Sequence, residues 1–433
     1  MKRAIALSGG GTKGAYELGV WRALRELDID YQIVTGTSIG SINGALMVTG
    51  DYDRAYELWN TITMEDMMED GINLTNTIEG LMEQREAIRP FLKKYVKNKG
   101  ADISPFTAFI QKLIREDEIR ASKIDFGLVT TEFPSLTGRE LTRQEIPQGL
   151  LRDYIMASSA IFPLFPMHRI GNLTYVDGCY HDNLPIRLAL RMGADHVIAV
   201  DLHTTPAHAS YAVRPYVTYI KPSRPLGTMM NFDHVLLMEN AHMGYQDAMK
   251  VFGEYYGYLY TFHKDGISAG RKPVLRFMHR MTQADYMISK ETPIKRLNKK
   301  GDFNHMYVCA KNQSGKACMS ETEYFMAAAE ICGKIFDMEF YPIYEMKDFV
   351  KEILNRVKSI DFIDQIDKIL EKDNRELAGI MAELKWHSRL QELTVSIYCR
   401  MREQALNSRE FTAIQALFPE ETLAACFLLA VSE

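Results

Sequence analysis

Hydrophobic positions in the first 200 residues follow two alternating spacings. Apolar side chains at helical spacing, such as Leu18, Trp21 and Leu24, predict a helix over 14–27, and a stretch rich in small residues predicts a second helix over 39–47. Short apolar runs predict strands over 3–8, 31–35, 126–131, 173–176 and 196–200. Alternating strands and helices are typical of a doubly wound sheet. We therefore expect an α/β fold in which a mostly parallel sheet lies between helices.

The pattern changes in the second half of the chain. A polar, turn-rich segment over 265–273 is the best candidate for a linker. From about residue 321 to the end the pattern is mostly helical, and Ile353 and Val357 belong to one amphipathic face. We therefore predict two domains, an α/β domain over 1–265 and a mainly helical region over 266–433.

Composition and charge exclude several function classes. Of the 433 residues, 46% are hydrophobic and 25% are charged, which is usual for a globular protein and excludes disorder as the main state. A net charge of -5 argues against nucleic-acid binding through bulk positive charge.

The cysteines and the apolar runs bear on metals, location and membranes. The six cysteines form no CxxC pair, which suggests neither a zinc site nor a disulfide framework. No apolar run reaches 18 residues, so we predict no transmembrane helix. We expect a cytoplasmic protein with no metal and no cofactor, and the sequence leaves peripheral contact with a membrane open.

A glycine-rich loop, Ser8-Gly-Gly-Gly-Thr-Lys-Gly14, lies between the first predicted strand and the first predicted helix. Gly9, Gly11 and Gly14 match the dinucleotide-binding fingerprint, but the second strand does not end in the acidic residue that this fingerprint requires. Backbone N–H groups at a helix N-terminus also stabilise a phosphate or a developing oxyanion, and Lys13 would add positive charge. A tight turn with an ordinary surface lysine is the structural alternative.

The second strand is followed directly by Gly36-Thr-Ser-Ile-Gly40, a G-x-S-x-G pattern between a strand and a helix. At such an elbow the serine lies in a strained turn. The residues two before and two after it must lack side chains that would collide with the neighbouring strand and helix. Ser38 is therefore the candidate nucleophile, and a glycine-rich turn that serves close packing only is the alternative.

A serine nucleophile needs a group that accepts its proton. Eleven histidines are available, and His203, just after a strand, is the best candidate for a Ser-His-Asp triad. Asp177 ends an apolar strand and precedes a glycine, so we expect it at the same C-terminal edge of the sheet as Ser38. Asp177 is then a candidate base that accepts the serine proton directly, although an Asp-Gly pair is also a common turn.

These features, taken together and in order, resemble the patatin-like phospholipase family. The matching segments are Gly9-Gly10-Gly11-Thr12-Lys13-Gly14, Gly36-Thr37-Ser38-Ile39-Gly40, Ala157-Ser158-Ser159-Ala160-Ile161-Phe162-Pro163, Asp177-Gly178-Cys179 and Asn183-Leu184-Pro185. The resemblance covers roughly residues 1–265. Cys179 departs from the family, which usually has glycine or alanine there.

The resemblance implies a lipid acyl hydrolase, a phospholipase A or carboxylic ester hydrolase, that acts on lipid or phospholipid esters. It implies Ser38 as the nucleophile and Asp177 as its base. It also implies an oxyanion hole built by the loop residues Gly9, Gly10, Gly11, Lys13 and Gly14. The apolar segment 161–166 is a candidate wall of the substrate trench, as is the segment 255–260.

Two other functions remain open from the sequence. A non-catalytic lipid-binding or scaffold protein could keep the same shell, with the helical region as its interaction module. A dinucleotide-binding oxidoreductase would use the glycine loop but would leave Ser38 and Asp177 without a role.

Overall fold

The computed structural model describes residues 1–68, 102–264, 271–291, 304–360, 366 and 387–432. The chain divides into two compact units, Met1–Phe252 and Gly253–Glu433. The predicted boundary at residues 265 and 266 lies outside the described residues. The division precedes it because the short strands Tyr255–Tyr256 and Thr261–His263 form a small sheet with Ile343–Tyr344 of the second unit.

The first unit is built on an eight-stranded sheet. Its strands are β1 (Arg3–Leu7), β2 (Ile33–Thr37), β3 (Asp125–Phe133), β4 (Thr137–Thr142), β5 (His168–Ile170), β6 (Leu173–Asp177), β7 (His196–Val200) and β8 (Val217–Ile220). Five strands, in the order β3-β2-β1-β7-β8, are parallel. The expected mostly parallel sheet is therefore confirmed.

β6 is antiparallel to its neighbour β3. Asp177 therefore does not end a strand of the parallel set, which corrects the expectation from the sequence. A tight turn at Gly171 makes β6 antiparallel to β5, and β6 also pairs antiparallel with β3. Val129 of β3 pairs with Thr37, and the next residue, Thr130, pairs with Asp177. β4 occupies the other side of β3 along this stretch. β2 and β6 therefore lie end to end on one side of β3, with their C-terminal ends facing each other.

Helices cover the sheet. In chain order they are α1 (Ala15–Glu26), α2 (Ile39–Thr49), α3 (Tyr52–Thr61), α4 (Ser104–Leu113), α5 (Glu116–Ala121), α6 (Leu151–Ser158), α7 (Ile186–Arg191), α8 (Ala209–Ala212) and α9 (His234–Val251). α1 packs tightly on α9, because a Cβ at Gly19 would lie 1.7 Å from the Ala241 carbonyl oxygen and one at Gly244 would lie 2.0 Å from that of Tyr16.

The second unit is mainly helical, as predicted. Its described helices are α10 (Arg271–Glu291), α11 (His305–Ser314), α12 (Glu321–Ile335), α13 (Met346–Lys358), α14 (His387–Arg402), α15 (Ser408–Leu417) and α16 (Pro419–Ser432). Tyr260, Phe262 and Phe349 are fully buried in its core. The candidate trench segment 255–260 therefore belongs to this unit, and Tyr260 packs in that core.

Within the described ranges, no single helix is both long and apolar enough to cross a membrane. Helices α15 and α16 are long and apolar enough only when they are taken together, and the angle between them is 119°.

Candidate active site

Ser38 occupies a strained turn between β2 and α2. Its φ of 56° and ψ of -126° are rare for a residue with a side chain and cost about 1–3 kcal/mol. Glycine is required on both sides. A Cβ at Gly36 would lie 2.1 Å from the Gly40 carbonyl oxygen, and one at Gly40 would lie 2.6 Å from that of Leu7 on β1. The elbow geometry expected from the sequence is therefore present.

The backbone of Ser38 is fixed from both sides of the turn. Its N–H donates to the Ser158 hydroxyl at 2.9 Å, and that hydroxyl donates in turn to the Val129 carbonyl oxygen of β3 at 2.6 Å. The Ser41 hydroxyl donates to the Ser38 carbonyl oxygen at 2.7 Å. Sequence reasoning gave Ser158 no role, and the only signal was its place in the segment 157–163 that resembles the family. Ser158 is fully buried and positions the elbow against β3.

Asp177 reaches the same place from the opposite direction. Its N–H donates to the Ala160 carbonyl oxygen at 2.9 Å, and its Oδ1 accepts the N–H of Cys179 at 2.8 Å. Only 1% of the residue is exposed. Burial raises the pKa of Asp177 to about 6, while hydrogen bonding by the Cys179 amide, the Ser38 hydroxyl and the Cys179 thiol acts to lower it. Asp177 and Ser38 line the same cavity.

The backbone N–H groups of the glycine loop fall into two groups, those bonded within the protein and those without an acceptor among the described residues. The N–H groups of Gly9 and Thr12 donate to the carbonyl oxygens of Asn183 and Met229, at 3.0 and 2.9 Å. For the N–H groups of Gly10 and Gly11, no acceptor is found among the residues that the structure describes. Both glycines line the cavity that contains Ser38. These two amides are therefore N–H donors at the cavity without an acceptor among the described residues.

The other two glycines of the loop serve close packing. A Cβ at Gly9 would lie 3.0 Å from the Cβ of Ser38, and one at Gly14 would lie 2.6 Å from Cγ1 of Ile39. The side-chain amide of Asn183 donates to the Gly9 carbonyl oxygen at 3.1 Å and holds the loop next to the elbow. Side chains at positions 9 and 14 would therefore collide with the elbow, so glycine at both positions lets the loop lie against it.

Lys13 and His203 lie elsewhere. Both line a separate cavity of about 500 Å³, and neither lines the cavity of Ser38 and Asp177. The His203 side chain is 49% exposed, and its Nδ1 lies 2.9 Å from Oδ1 of the buried Asp201. The structure therefore does not bring the histidine of the alternative triad to Ser38, and Lys13 is not among the residues that line the cavity of Ser38.

The cavity around Ser38 and Asp177 is narrow and mostly apolar. Its water-accessible space is about 80 Å³. Its apolar lining consists of Ile39, Ile42, Trp59, Ile62, Met67, Phe106, Ile161, Phe165, Met229, Met230 and Phe232. Ile161 and Phe165 belong to the segment that the sequence offered as a trench wall. Ile39 and Ile42 lie in and just after the elbow, whereas the other lining residues come from distant parts of the chain, so no local pattern pointed to them.

Comparison with known proteins adds an independent observation. Residues 5–190 match the sequence model of the patatin-like phospholipase family. The chain is similar to patatin-like phospholipase domain-containing protein 7 of Rattus norvegicus, with 29% identity over 202 residues that make up 46% of this chain and 13% of that protein. It is also similar to lysophospholipase NTE1 of Mycosarcoma maydis, with 32% identity over 212 residues, or 47% of this chain and 10% of that protein.

Similarity to solved structures is weaker. VipD from Legionella pneumophila aligns with a TM-score of 0.36 and 14% identity, over 100% of this chain and 91% of that one.

The chain spans only about a tenth of the length of the two relatives named above. The matched segment contains the glycine loop, the elbow at Ser38 and the turn at Asp177, and the chain therefore carries a patatin-like phospholipase domain over residues 5–190.

Proposed function

We propose that this protein is a lipid acyl hydrolase that cleaves carboxylic esters with Ser38 as nucleophile and Asp177 as base. One observation carries the proposal: a serine on a strained elbow and a buried carboxylate meet in an apolar cavity beside two amides that have no acceptor among the described residues. The names of the relatives, which include phospholipases and lysophospholipases, support the same reaction class.

The chemistry follows from the placement of these groups. Asp177 accepts the proton of the Ser38 hydroxyl as its oxygen attacks the ester carbonyl carbon. The N–H groups of Gly10 and Gly11 stabilise the negative oxygen of the tetrahedral intermediate. Collapse of the intermediate breaks the ester C–O bond, and the proton on Asp177 passes to the departing alcohol. Water, deprotonated by Asp177, then attacks the acyl-enzyme. The bond from the acyl carbon to the Ser38 oxygen breaks, the proton on Asp177 returns to Ser38, and the carboxylic acid is released.

The apolar walls of the cavity support a hydrocarbon group as the part of the substrate that enters it. Its walls are aromatic, branched aliphatic and methionine side chains, and its polar groups are concentrated around Ser38 and Asp177. Burying a hydrocarbon chain against such walls is favourable by about 0.8 kcal/mol for each methylene group. A lipid ester, including a phospholipid ester, is therefore the proposed substrate class.

We propose that exposed apolar side chains on the strands and turns next to the site contact a lipid surface. Phe133 is the last residue of β3, Leu136 lies on the β3–β4 turn and Leu173 is the first residue of β6. Phe162 and Tyr180 are exposed next to the cavity residues Ile161 and Cys179 in the chain. The Tyr180 hydroxyl donates to the Phe162 carbonyl oxygen and links these two segments. Together the five exposed side chains, called the apolar rim below, would bring the cavity to lipid packed in a bilayer.

The apolar rim is tested with vesicles. The double variant L136S/L173S replaces two exposed residues of the apolar rim, one on the β3–β4 turn and one at the start of β6. We expect normal folding and a several-fold loss of co-sedimentation with phosphatidylcholine vesicles. Val213→Ser is the matched control, because Val213 is also an exposed apolar residue but does not belong to the rim. Equal vesicle binding by the double variant and the control would contradict the proposal.

Labelling with a fluorophosphonate tests the nucleophile and distinguishes it from the alternatives. The probe reacts with serines that an adjacent base activates, so we expect one labelled peptide, containing Ser38. Folded protein that does not react would favour a non-catalytic lipid-binding or scaffold protein. A change in thermal stability on adding NAD would favour the oxidoreductase.

A further inference from the structure

Ser159 is a buried hydroxyl that the proposed reaction has not used. It directly follows α6, it is 5% exposed, and it lines the same cavity as Ser38 and Asp177. Its Oγ has no hydrogen-bond partner among the residues that the structure describes. A buried hydroxyl without a partner is unfavourable, so native proteins rarely retain one without a reason.

The neighbours of Ser159 fix its position relative to both reacting groups. The hydroxyl of Ser158 accepts the Ser38 N–H at 2.9 Å, and the Ala160 carbonyl oxygen accepts the Asp177 N–H at 2.9 Å. Ser158 is therefore bonded to the backbone of the nucleophile, and Ala160 is bonded to the backbone of the base. Ser159, between them, is the member of this short segment whose side chain is left for an occupant of the cavity.

The sheet order places Ser159 and the glycine loop on opposite sides of the nucleophile. Ser38 follows β2, and the glycine loop follows β1, which neighbours β2 on one side. The segment 158–160 is bonded to β3, the neighbour of β2 on the other side, and to Asp177 at the end of β6. When the carbonyl oxygen of an ester points to the amides of Gly10 and Gly11, the β3 side is one of the two directions that remain for the acyl chain and the departing alcohol.

We propose that the Ser159 hydroxyl contacts the leaving-group oxygen of the ester and donates a hydrogen bond to it as the C–O bond breaks. This inference rests on the proposed function. In the step, Asp177 transfers the proton that it took from Ser38 to the departing oxygen, and the alcohol leaves neutral. Ser159 keeps its own proton and stabilises the negative charge that develops on that oxygen before the transfer is complete.

The proposal predicts that the importance of Ser159 depends on the leaving group. A nitrophenolate is a stable anion and needs little help in departing, whereas an alkoxide is strongly basic and needs both the proton and the hydrogen bond. Loss of the hydroxyl should therefore slow alkyl esters much more than nitrophenyl esters. A contact that merely shaped the cavity or bound the acyl chain would affect both esters alike.

The experiment compares two esters of the same medium-chain acid, a p-nitrophenyl ester and a glyceryl monoester. For Ser159→Ala we expect kcat/KM to fall about 10-fold or more on the glyceryl ester and no more than about 3-fold on the nitrophenyl ester. Ser159→Thr, which retains a hydroxyl, should restore most of the ratio between the two esters. Because both rates are measured on one preparation, a partly unfolded variant leaves their ratio unchanged.

Ser158→Ala is the matched comparison, since its hydroxyl acts on the backbone of the nucleophile and not on the leaving group. We expect it to slow both esters by a similar factor. Equal losses on both esters for Ser159→Ala, or no loss on either, would overturn the role of Ser159. That outcome leaves the proposed function intact as long as Ser38→Ala is inactive on both esters, whereas an active Ser38→Ala would overturn the proposed function itself.

Discussion

Ester hydrolysis by Ser38→Ala is expected to fall by about 10⁴-fold or more in kcat. Without the hydroxyl, no atom on the elbow can form the acyl-enzyme, and the amides of Gly10 and Gly11 would then have only the uncatalysed attack of water to assist. The measurement is the initial rate on a short-chain nitrophenyl ester, with fluorophosphonate labelling in parallel. The label should disappear together with the activity.

The structure offers a control for this variant. The Ser38 side chain is small, and the turn is held by backbone hydrogen bonds to Ser158 and Ser41, which alanine at position 38 retains. We therefore expect an unchanged thermal unfolding midpoint. Ser210→Ala, an exposed serine of the same unit, should match the wild-type protein in rate and labelling. Full activity of Ser38→Ala would show that another residue is the nucleophile.

Asp177→Asn is expected to lower kcat by about 10²- to 10⁴-fold, which is the usual contribution of a positioned general base. Asparagine has nearly the same shape and can still accept the N–H of Cys179, but it cannot take the Ser38 proton. In the wild-type protein the base must be ionised. Because the pKa of Asp177 is raised to about 6, kcat/KM should fall as the pH drops below about 6. The pH profile of hydrolysis between pH 4.5 and 8.5 measures this limb.

The same substitution should stabilise the fold at neutral pH. In the unfolded chain the Asp177 carboxyl ionises near pH 3.8, whereas in the folded protein burial delays ionisation to about pH 6. Between these two values the unfolded state releases the proton first, so the folded state becomes relatively less stable as the pH rises. Above pH 6 the folded protein bears the full cost of ionising the buried carboxyl, a loss of stability of about 3 kcal/mol for a pKa shift of this size. Asparagine avoids it.

Denaturant unfolding at pH 4 and pH 8 therefore measures the effect of Asp177→Asn on stability separately from its effect on catalysis. We expect the variant to gain stability relative to the wild type at pH 8 and to gain little or nothing at pH 4. His203→Ala is the catalytic control, because His203 lines the separate cavity and should be dispensable. Inactive His203→Ala together with active Asp177→Asn would contradict the pairing of Ser38 with Asp177.

What could be read from the sequence was local. The elbow at Ser38 needs only two glycines and a strand-to-helix junction within five residues, and the glycine loop is equally compact. The apolar runs of β1, β3 and β7 are long enough to identify strands within about two residues of their observed bounds. β4 was missed because its side chains alternate between exposed and half-buried and are mostly polar, which weakens the hydrophobic signal.

What could not be read depends on contacts between distant segments. The direction of β6 is set by its hairpin with β5 and by pairing with β3, more than 40 residues earlier in the chain. The roles of Ser158 and Ser159 depend on which atoms lie within 3 Å of each hydroxyl, and two adjacent serines look alike in a sequence. Lys13 shows the converse, because its place in the glycine loop suggested a charge at the site, while its side chain lines another cavity.

Because β2 and β6 meet at adjacent residues of β3, the protein should respond differently to changes in loop length and to shifts of strand register. Thr37 and Asp177 pair with Val129 and Thr130, so the offset between the strand ends that carry nucleophile and base amounts to one residue step, about 3.3 Å. Insertions or deletions in the loops on either side of β3 leave this offset untouched. A one-residue slip of β6 along β3 would instead turn the carboxylate to the opposite face of the sheet. Mutations that shift strand register should therefore inactivate the protein, whereas changes in the length of the two loops that flank β3 should spare catalysis.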